Sequence, residues 1–107
     1  MMQERVKMII IEQTQEFETW FEEKRKKNTK VYFIIIKRLE RLKIGNFGDY
    51  KDLKNNLFEL RFFNKECSGL RVYFTKRENK IILLLSAGNK DSQQKDIQKA
   101  KLLITQY

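Results

Sequence analysis

Three apolar segments in the second half of the chain are predicted to be consecutive β-strands. Residues 57–63 are rich in leucine and phenylalanine, residues 70–76 alternate between apolar and polar positions, and residues 81–85 are apolar without interruption. Alternation is typical of a strand with one buried face, whereas an uninterrupted apolar run is typical of a strand covered on both faces. We therefore expect the third segment to lie in the middle of a sheet.

The side-chain period of two predicts how the first two of these strands pair. A five-residue loop at residues 64–68 matches the apolar residues of both strands on one face and places Arg61 opposite Arg71. Two facing guanidinium groups repel each other unless an anion joins them. Lys90 follows the last strand and is expected beside the same pair, so that three cations converge.

This convergence of cations has two explanations. The first is an anionic ligand that joins the two guanidinium groups. The second is that Glu59, on the same strand face as the first arginine, neutralises them with help from Asp91 or Asp96. Most exposed charges of proteins are merely solvated, which favours the second explanation for an isolated pair.

The turn before the third strand sets a further register. A two-residue turn at residues 78–79 is typical of a β-hairpin. It would place Arg71 opposite Ser86. By the same register, Tyr73 would lie opposite Leu84 and on the same strand face as Arg71.

The first half of the chain predicts one strand and two helices. The strand is the apolar run at residues 6–11, and Thr14 is suited to cap the first helix. The buried face of that helix is predicted to contain Phe17, Trp20 and Phe21. A second helix is predicted at residues 29–44, because one apolar stripe continues without a breaker until Gly45. The members of this stripe are Val31, Ile35, Leu39 and Leu42.

After the third strand, a last helix is predicted to begin at Asp91, with Gln94 three residues later as in a capping box. Ile97, Ala100 and Ile104 form its apolar stripe. The sequence therefore predicts an α+β fold in the order β-α-α-β-β-β-α. It has a small, mostly antiparallel sheet, two N-terminal helices on one face and a C-terminal helix elsewhere.

Composition limits the class of protein. With 107 residues, 41% of them hydrophobic, the chain is predicted to be one domain, residues 1–107, with its own core. The net charge of +9 favours a polyanionic partner, unless the basic residues reflect compositional drift. One cysteine and no histidine argue against a zinc site. The single cysteine, Cys67, cannot form an intramolecular disulfide, which favours a cytoplasmic protein. No apolar run approaches the length of a membrane span, so we expect a soluble protein. No cofactor is expected.

Four stretches carry a family resemblance. They are RLERLKIGNFGD at residues 38–49, ELR at residues 59–61, GLRVYFT at residues 69–75 and ILLLSAGNKDSQQKDIQKA at residues 82–100. On these residues the chain resembles the RelE/ParE superfamily of bacterial type II toxins, and most closely its branch of addiction-module killer proteins. The resemblance implies a compact sheet-and-helix toxin that is held inactive by a cognate antitoxin, usually a small helix-turn-helix protein.

The resemblance also implies site residues. The three cations of the family's site match Arg61, Arg71 and Lys90. Two features depart from the family's pattern. Glu59 stands where the best-known nucleases of the family have a basic residue. A Tyr or His near the start of the last helix is missing, and that neighbourhood holds Gln93, Gln94 and Asp96.

Cleavage of RNA by internal attack needs a base for the 2′-hydroxyl, cations for the phosphate and an acid for the leaving oxygen. Arg61 and Arg71 are expected to hold the phosphate, because arginine stays protonated. Lys90 is the candidate proton donor, or base when neutral, and Asp96 or Glu59 is the candidate proton acceptor. Further residues are predicted to contact the RNA, namely Lys51, Lys54, Tyr73, Lys76, Gln93 and Lys95. Tyr73 has two equal explanations, a base or hydrogen-bond contact and packing at the edge of the core.

The family contains two activities that its shared fold does not distinguish. RelE-like toxins cut mRNA on the ribosome and inhibit translation, whereas ParE-like toxins poison DNA gyrase without hydrolysing nucleic acid. The leading prediction is a metal-independent, ribosome-dependent mRNA endoribonuclease. The alternatives are a non-enzymatic gyrase toxin and an inactivated toxin that only binds its antitoxin. The expected partners are the antitoxin, the ribosome and mRNA, with no membrane.

Overall fold

The computed structural model describes residues 8–78 and 80–107, and this part of the chain contains one five-stranded sheet and three α-helices. The predicted α+β class is confirmed, with one strand more than the sequence predicted. Residues 6 and 7 of the predicted first strand lie outside the described residues. None of these helices is long and apolar enough to cross a membrane. The elements follow in the order β1 (Ile10–Gln13), α1 (Gln15–Lys27), α2 (Thr29–Lys43), β2 (Tyr50–Asp52), β3 (Phe58–Arg61), β4 (Arg71–Arg77), β5 (Ile81–Gly88) and α3 (Gln93–Gln106).

The strands of the sheet lie in the order β1-β5-β4-β3-β2. β1 runs parallel to β5, and the other neighbouring strands are antiparallel. β5 therefore lies inside the sheet, and its residues 82–86 are all buried. This confirms that the uninterrupted apolar run belongs to a strand covered on both faces.

The first two helices cover one face of the sheet. Thr14 caps α1 as predicted, because its Oγ1 accepts a hydrogen bond from the backbone N–H of Phe17 at 3.0 Å. The same hydroxyl donates to the carbonyl of Leu85 at 2.7 Å and so fixes the start of α1 to β5. α2 ends at the predicted place, where Gly45 has a φ of +86°. The core beneath both helices includes Phe17, Ile35, Leu39, Leu42, Leu60, Phe62, Val72 and Phe74.

α3 covers the opposite face of the sheet through the predicted apolar stripe, and the core there includes Leu57, Tyr73, Leu83, Leu85, Ile97, Ala100 and Ile104. The predicted cap at Asp91 is wrong. Asn89 Oδ1 instead accepts hydrogen bonds from the N–H groups of Asp91 and Ser92, at 2.9 and 3.2 Å. This cap starts a 3₁₀ turn, Lys90–Ser92, that precedes α3. Asn89 therefore stops the strand and satisfies the free N–H groups before Asp91 is reached.

The register between β3 and β4 agrees with the prediction. Arg61 lies opposite Arg71, and Leu60 lies opposite Val72. The backbone N–H of Phe62 still donates to the carbonyl of Leu70 at 3.2 Å, one step beyond the end of β3. The apolar alternation of both strands fixes this register, because a one-residue slip would turn every apolar side chain away from the core.

The predicted register between β4 and β5 is wrong by two residues. Arg71 lies opposite Gly88, and Tyr73 lies opposite Ser86. One residue of the shift arises at the turn, where Arg77 pairs with Ile81, so that three residues instead of two connect the strands. The other residue arises at a bulge in β5, where Leu85 lies between the partners of positions 73 and 74 and pairs with neither. Asn79, which was predicted in the turn, lies outside the described residues.

The edge strand β2 was not predicted. It pairs antiparallel with β3, and all three of its residues are exposed. A three-residue segment without apolar alternation gives no strand pattern in the sequence. The chain then reaches β3 through Lys54, Asn55 and Asn56, which all have positive φ angles, at 76°, 56° and 61°.

Candidate functional site

The two predicted arginines meet at one end of the sheet. Arg61 is the last residue of β3, and Arg71 is the first residue of β4. The Arg61 side chain is 30% exposed and the Arg71 side chain 17% exposed. Strand alternation puts both on the face that α3 covers, together with Glu59 and Tyr73. The pair is therefore partly buried, with an edge that solvent reaches.

The anion that joins these arginines is the carboxylate of Glu59, which has no exposed surface. Its Oε1 accepts a hydrogen bond from Nε of Arg61 at 3.0 Å, and its Oε2 lies 3.6 Å from Nε of Arg71. Gln93, at the start of α3, donates from Nε2 to the same Oε2 at 2.7 Å. The structure therefore agrees with the second of the two explanations, in which Glu59 neutralises the arginines.

The electrostatics of Glu59 follow from these contacts. Burial alone raises the pKa of a carboxyl group, because it disfavours the charged form. At Glu59 the hydrogen bonds from Gln93 and Arg61 and the charge of Arg71 outweigh burial, and the pKa lies below its ordinary value. Glu59 is thus held as a carboxylate at neutral pH. A buried carboxylate with these partners is poorly suited to accept a proton from substrate.

Arg71 and Lys90 lie around Gly69. The Nη1 of Arg71 donates to the carbonyl of Gly69 at 2.9 Å. Gly69 has a φ of +76°, and a Cβ built on it would lie 3.3 Å from Cγ of Lys90. The stem of Lys90 therefore packs over the glycine two positions before Arg71, while the residue as a whole is exposed. All three predicted cations lie at the same end of the sheet.

Arg38 is a site residue that the sequence analysis missed. It is 7% exposed and lies on the buried side of α2. Its Nη1 donates to the carbonyl of Arg61 at 2.8 Å, and its Nη2 donates to the carbonyls of Phe47 and Asp49 at 3.1 and 2.5 Å. Burial lowers the pKa of Arg38, and the charge of Arg41 adds to this. Arg38 therefore ties α2 and the following loop to the end of β3, where the arginine pair begins.

The sequence did contain a signal for Arg38. It stands three residues after Ile35, within the apolar stripe of the second helix. A charged residue on a buried stripe needs partners of its own. Gly48 provides the room, because a Cβ at this position would lie 2.9 Å from Nε of Arg38.

Tyr73 does not have the predicted role in stacking on a base. Its side chain is fully buried under α3 and has no surface to offer a nucleobase. Its hydroxyl has no hydrogen-bond partner among the described residues. Burial, and then the negative charge of Glu59, raise the pKa of Tyr73 above its ordinary value. Tyr73 is instead packed in the core, which is the alternative that the sequence left open, because α3 covers its face of the sheet.

Asp96 lies in the first turn of α3, half-buried against the end of β5. Its carboxylate accepts a hydrogen bond from the hydroxyl of Ser92. A Cβ built on Gly88 would lie 1.8 Å from Oδ2 of Asp96, so the carboxylate occupies the space that a side chain at residue 88 would fill. Because Gly88 pairs with Arg71, Asp96 belongs to the same end of the sheet. Among the described residues, no cluster of three or more acidic or cysteine side chains is arranged to hold a metal ion.

The remaining predicted RNA contacts lie in β2, in the loop that follows it and in the first turn of α3. Lys51 pairs with Glu59 across β2 and β3 and is exposed on the face of the arginine pair. Lys95 is exposed in the first turn of α3, and Gln93 is engaged by Glu59 as described above. Lys54 lies in the loop after β2, where it is exposed. Lys51 therefore shares the sheet face of the arginine pair, and Lys95 lies in the same helical turn as Gln93.

Lys76 lies on the opposite face of the sheet from the arginine pair. Its Nζ lies 4.8, 6.0 and 4.5 Å from the ring centres of Phe47, Tyr50 and Phe58. A cation over aromatic faces at these distances stabilises the local packing. Lys76 therefore lies away from the candidate site. Its ammonium group contacts aromatic rings of the loop between α2 and β2, of β2 and of β3.

Comparison with known proteins places the chain beside one bacterial relative. No protein-family model matches the chain. An uncharacterized protein of Haemophilus influenzae is 40% identical to it over 95 residues. The alignment covers 89% of this chain and 92% of the relative, so the similarity extends over almost the whole of both proteins.

Proposed function

We propose that this chain, which belongs to the same protein family as the Haemophilus influenzae relative, is a type II toxin of the RelE/ParE kind. Its proposed activity is metal-independent cleavage of ribosome-bound mRNA, which would inhibit translation. The observation that carries the proposal is the Arg61–Arg71 pair, which is fixed in register at the end of two strands and remains partly open to solvent. Lys90 at the same end and a net charge of +9 support it.

In this proposal the arginines bind the scissile phosphate and do not move protons, because guanidinium groups stay protonated at any working pH. Lys90 is exposed beside them and donates a proton to the leaving 5′-oxygen. Glu59 is engaged by three side chains, so Asp96 is the carboxylate left to accept the proton of the 2′-hydroxyl. This set of groups is sparse, and the ribosome would contribute by positioning the message.

The proposal includes a cytoplasmic location and a partner that keeps the toxin inactive. A cognate antitoxin, of the helix-turn-helix type, would associate quickly with so basic a protein if its own binding segment is acidic. Co-expression with the neighbouring reading frame tests this partnership. A stable complex and relief of growth arrest are expected, and growth arrest that the neighbour does not relieve would contradict the pairing.

The central experiment adds the purified full-length chain to a cell-free translation reaction and maps new 5′ ends on the message. New ends that appear only when ribosomes translate the message are expected. Naked mRNA serves as the control, because a ribosome-dependent enzyme leaves it intact. An intact message under translation, at protein concentrations that stop growth in cells, would reject the nuclease.

One observation favours a second candidate function. Glu59 neutralises part of the arginine pair, and the buried Tyr73 offers no exposed hydroxyl for acid catalysis. A site with few proton-transfer groups suits a non-enzymatic toxin that binds DNA gyrase, or an inactivated toxin that binds only its antitoxin. Inhibition of gyrase supercoiling without cleaved message would identify the former, and antitoxin binding with neither effect would identify the latter.

A further inference from the structure

We infer that Phe63 is the platform on which a base of single-stranded RNA stacks while Arg61 and Arg71 hold the adjoining phosphate. The inference rests on the proposed function and deepens it, because it names a base contact at the same site. Phe63 takes the role that the sequence analysis assigned to the buried Tyr73.

Phe63 is 77% exposed, the largest exposed fraction of any large hydrophobic side chain that the structure describes. Its neighbour Phe62 is 2% exposed, lies in the core beneath α1 and α2, and continues the ladder to Leu70. Phe63 follows directly, beyond the end of β3, and an extended backbone through it would place its ring on the face of Arg61, about 7 Å away. An aromatic ring is thus placed one strand step beyond the first arginine.

The phosphate contact uses the guanidinium nitrogens that the protein leaves open. Glu59 engages the Nε of Arg61 and lies beside the Nε of Arg71, and Gly69 accepts from Nη1 of Arg71. Within the described residues, both Nη atoms of Arg61 and the Nη2 of Arg71 make no hydrogen bond. Because Glu59 and Gly69 hold the inner edges, the outer edges are kept in place for a phosphate, for which guanidinium is the preferred partner.

The surroundings of Phe63 favour RNA over an apolar protein surface. The ring stands between Arg61 and the exposed pair Asn64 and Lys65, with no other exposed large hydrophobic residue next to it in the chain. Aromatic rings interleaved with cations are the pattern of single-strand binding surfaces, where a base stacks on the ring and the backbone meets the charges. An apolar protein partner would instead require a continuous apolar patch.

The test measures binding of a fluorescent single-stranded oligoribonucleotide of about eight nucleotides by the full-length chain. Phe63→Ala is expected to weaken binding about tenfold, and Phe63→Tyr to retain it, because stacking needs only the ring. Phe33→Ala is the matched control, since Phe33 is 58% exposed on α2, and it should bind as the wild type does. An abasic oligomer with the same phosphates should bind weakly, and Phe63→Ala should not weaken it further.

The outcomes separate this inference from the proposed function. Wild-type binding by Phe63→Ala, with weaker binding by Arg61→Ala, would overturn the base platform and leave the phosphate contact standing. Equal loss with the abasic oligomer would also overturn it, because no base is then involved. Failure of the wild-type chain to bind the oligomer would overturn the inference, while mapping of cleavage on translated mRNA judges the nuclease separately. Thermal melting of each variant confirms that it is folded.

Discussion

Glu59 accepts a hydrogen bond from Nε of Arg61 at 3.0 Å although Glu59 has no exposed surface. The partly exposed arginine is therefore held by a carboxylate that solvent does not reach. The same carboxylate also lies 3.6 Å from Nε of Arg71, so one buried anion orients both cations of the candidate site. The free energy of this arrangement depends on all three charges together.

Replacing Glu59 by Gln should destabilise the fold. The neutral amide keeps the size of the side chain but leaves the two arginines without their counter-ion. Breaking a fully buried pair costs about 3–5 kcal/mol, and solvent at the outer edges of the arginines should reduce this to about 2 kcal/mol. The measurement is the free energy of unfolding by urea at pH 7. Glu12→Gln, on an exposed position of β1, is the matched control and should change stability by less than about 0.5 kcal/mol. Equal stability of the two variants would mean that the buried carboxylate contributes nothing.

The same contact predicts a pH dependence. The pKa of Glu59 in the folded chain lies below its ordinary value of 4.5, so the stabilisation is fully present above that value. It is lost as the pH falls through the lowered pKa of the folded state. The difference in unfolding free energy between the wild type and Glu59→Gln should therefore be constant from pH 7 to about pH 5 and shrink at lower pH. A difference that grows in acid would contradict the assignment.

The arginine pair could be predicted from the sequence because local alternation fixes the register of β3 and β4. Leu60, Phe62 and Val72 must all face one core, and this requirement brings Arg61 opposite Arg71. The neutralising role of Glu59 was one of two open explanations. It could not be decided before the structure, because its burial depends on Gln93 and on where α3 lies. Sequence patterns describe local faces, whereas this contact joins residues 34 positions apart.

Other parts of the fold could not be predicted because single residues decide them. The bulge in β5 and the longer turn each move the register by one residue, and neither has a pattern of its own. Asn89, and not Asp91, caps this end of the chain segment, because its Oδ1 accepts a hydrogen bond from the N–H of Asp91, two residues later. The sequence around Phe63 shows the alternation of a strand, but it does not predict that the ring of Phe63 is exposed.

Replacing Tyr73 by Phe should leave the fold at least as stable as the wild type. The Tyr73 hydroxyl is buried near the Glu59 carboxylate but makes no hydrogen bond of normal geometry with any described residue, and burying an unpaired polar group costs free energy. Its removal should raise the free energy of unfolding by between zero and about 1 kcal/mol. Affinity for the oligoribonucleotide should not change, because the ring is buried. A tenfold loss of affinity in a stable Tyr73→Phe variant would restore the original prediction that Tyr73 contacts RNA.

Replacing Gly88 by Ala should destabilise the contact between β5 and α3. The added methyl would lie 1.8 Å from Oδ2 of Asp96, so the Asp96 side chain or the start of α3 must move, and such overpacking typically costs about 1–3 kcal/mol. Asp96→Ala removes the obstructing carboxylate. In that background Gly88→Ala should cost less than half as much, which a double-mutant cycle measures from unfolding free energies. Additive costs would show that the two side chains do not share this space.

The most direct test of the candidate site is Arg71→Ala. If Arg71 stabilises the charge that develops on the scissile phosphate, its loss should lower cleavage of ribosome-bound message about a hundredfold or more. The fold should survive, because Glu59 keeps its hydrogen bonds from Arg61 and Gln93. Arg71→Lys should recover only part of the rate, since an ammonium keeps the charge but loses the two-pronged geometry. The measurement is single-turnover cleavage.

Arg77→Ala is the matched control for this experiment. Arg77 is an arginine of the same strand and the same strand face, six positions away at the other end of β4, about 20 Å from Arg71. Both alanine variants lose one positive charge, so a general effect of charge on ribosome binding lowers both rates alike. Only a role at the phosphate lowers the rate of Arg71→Ala alone. Wild-type cleavage by a folded Arg71→Ala variant would reject the site. Unchanged toxicity in cells despite lost cleavage would favour the gyrase-directed function.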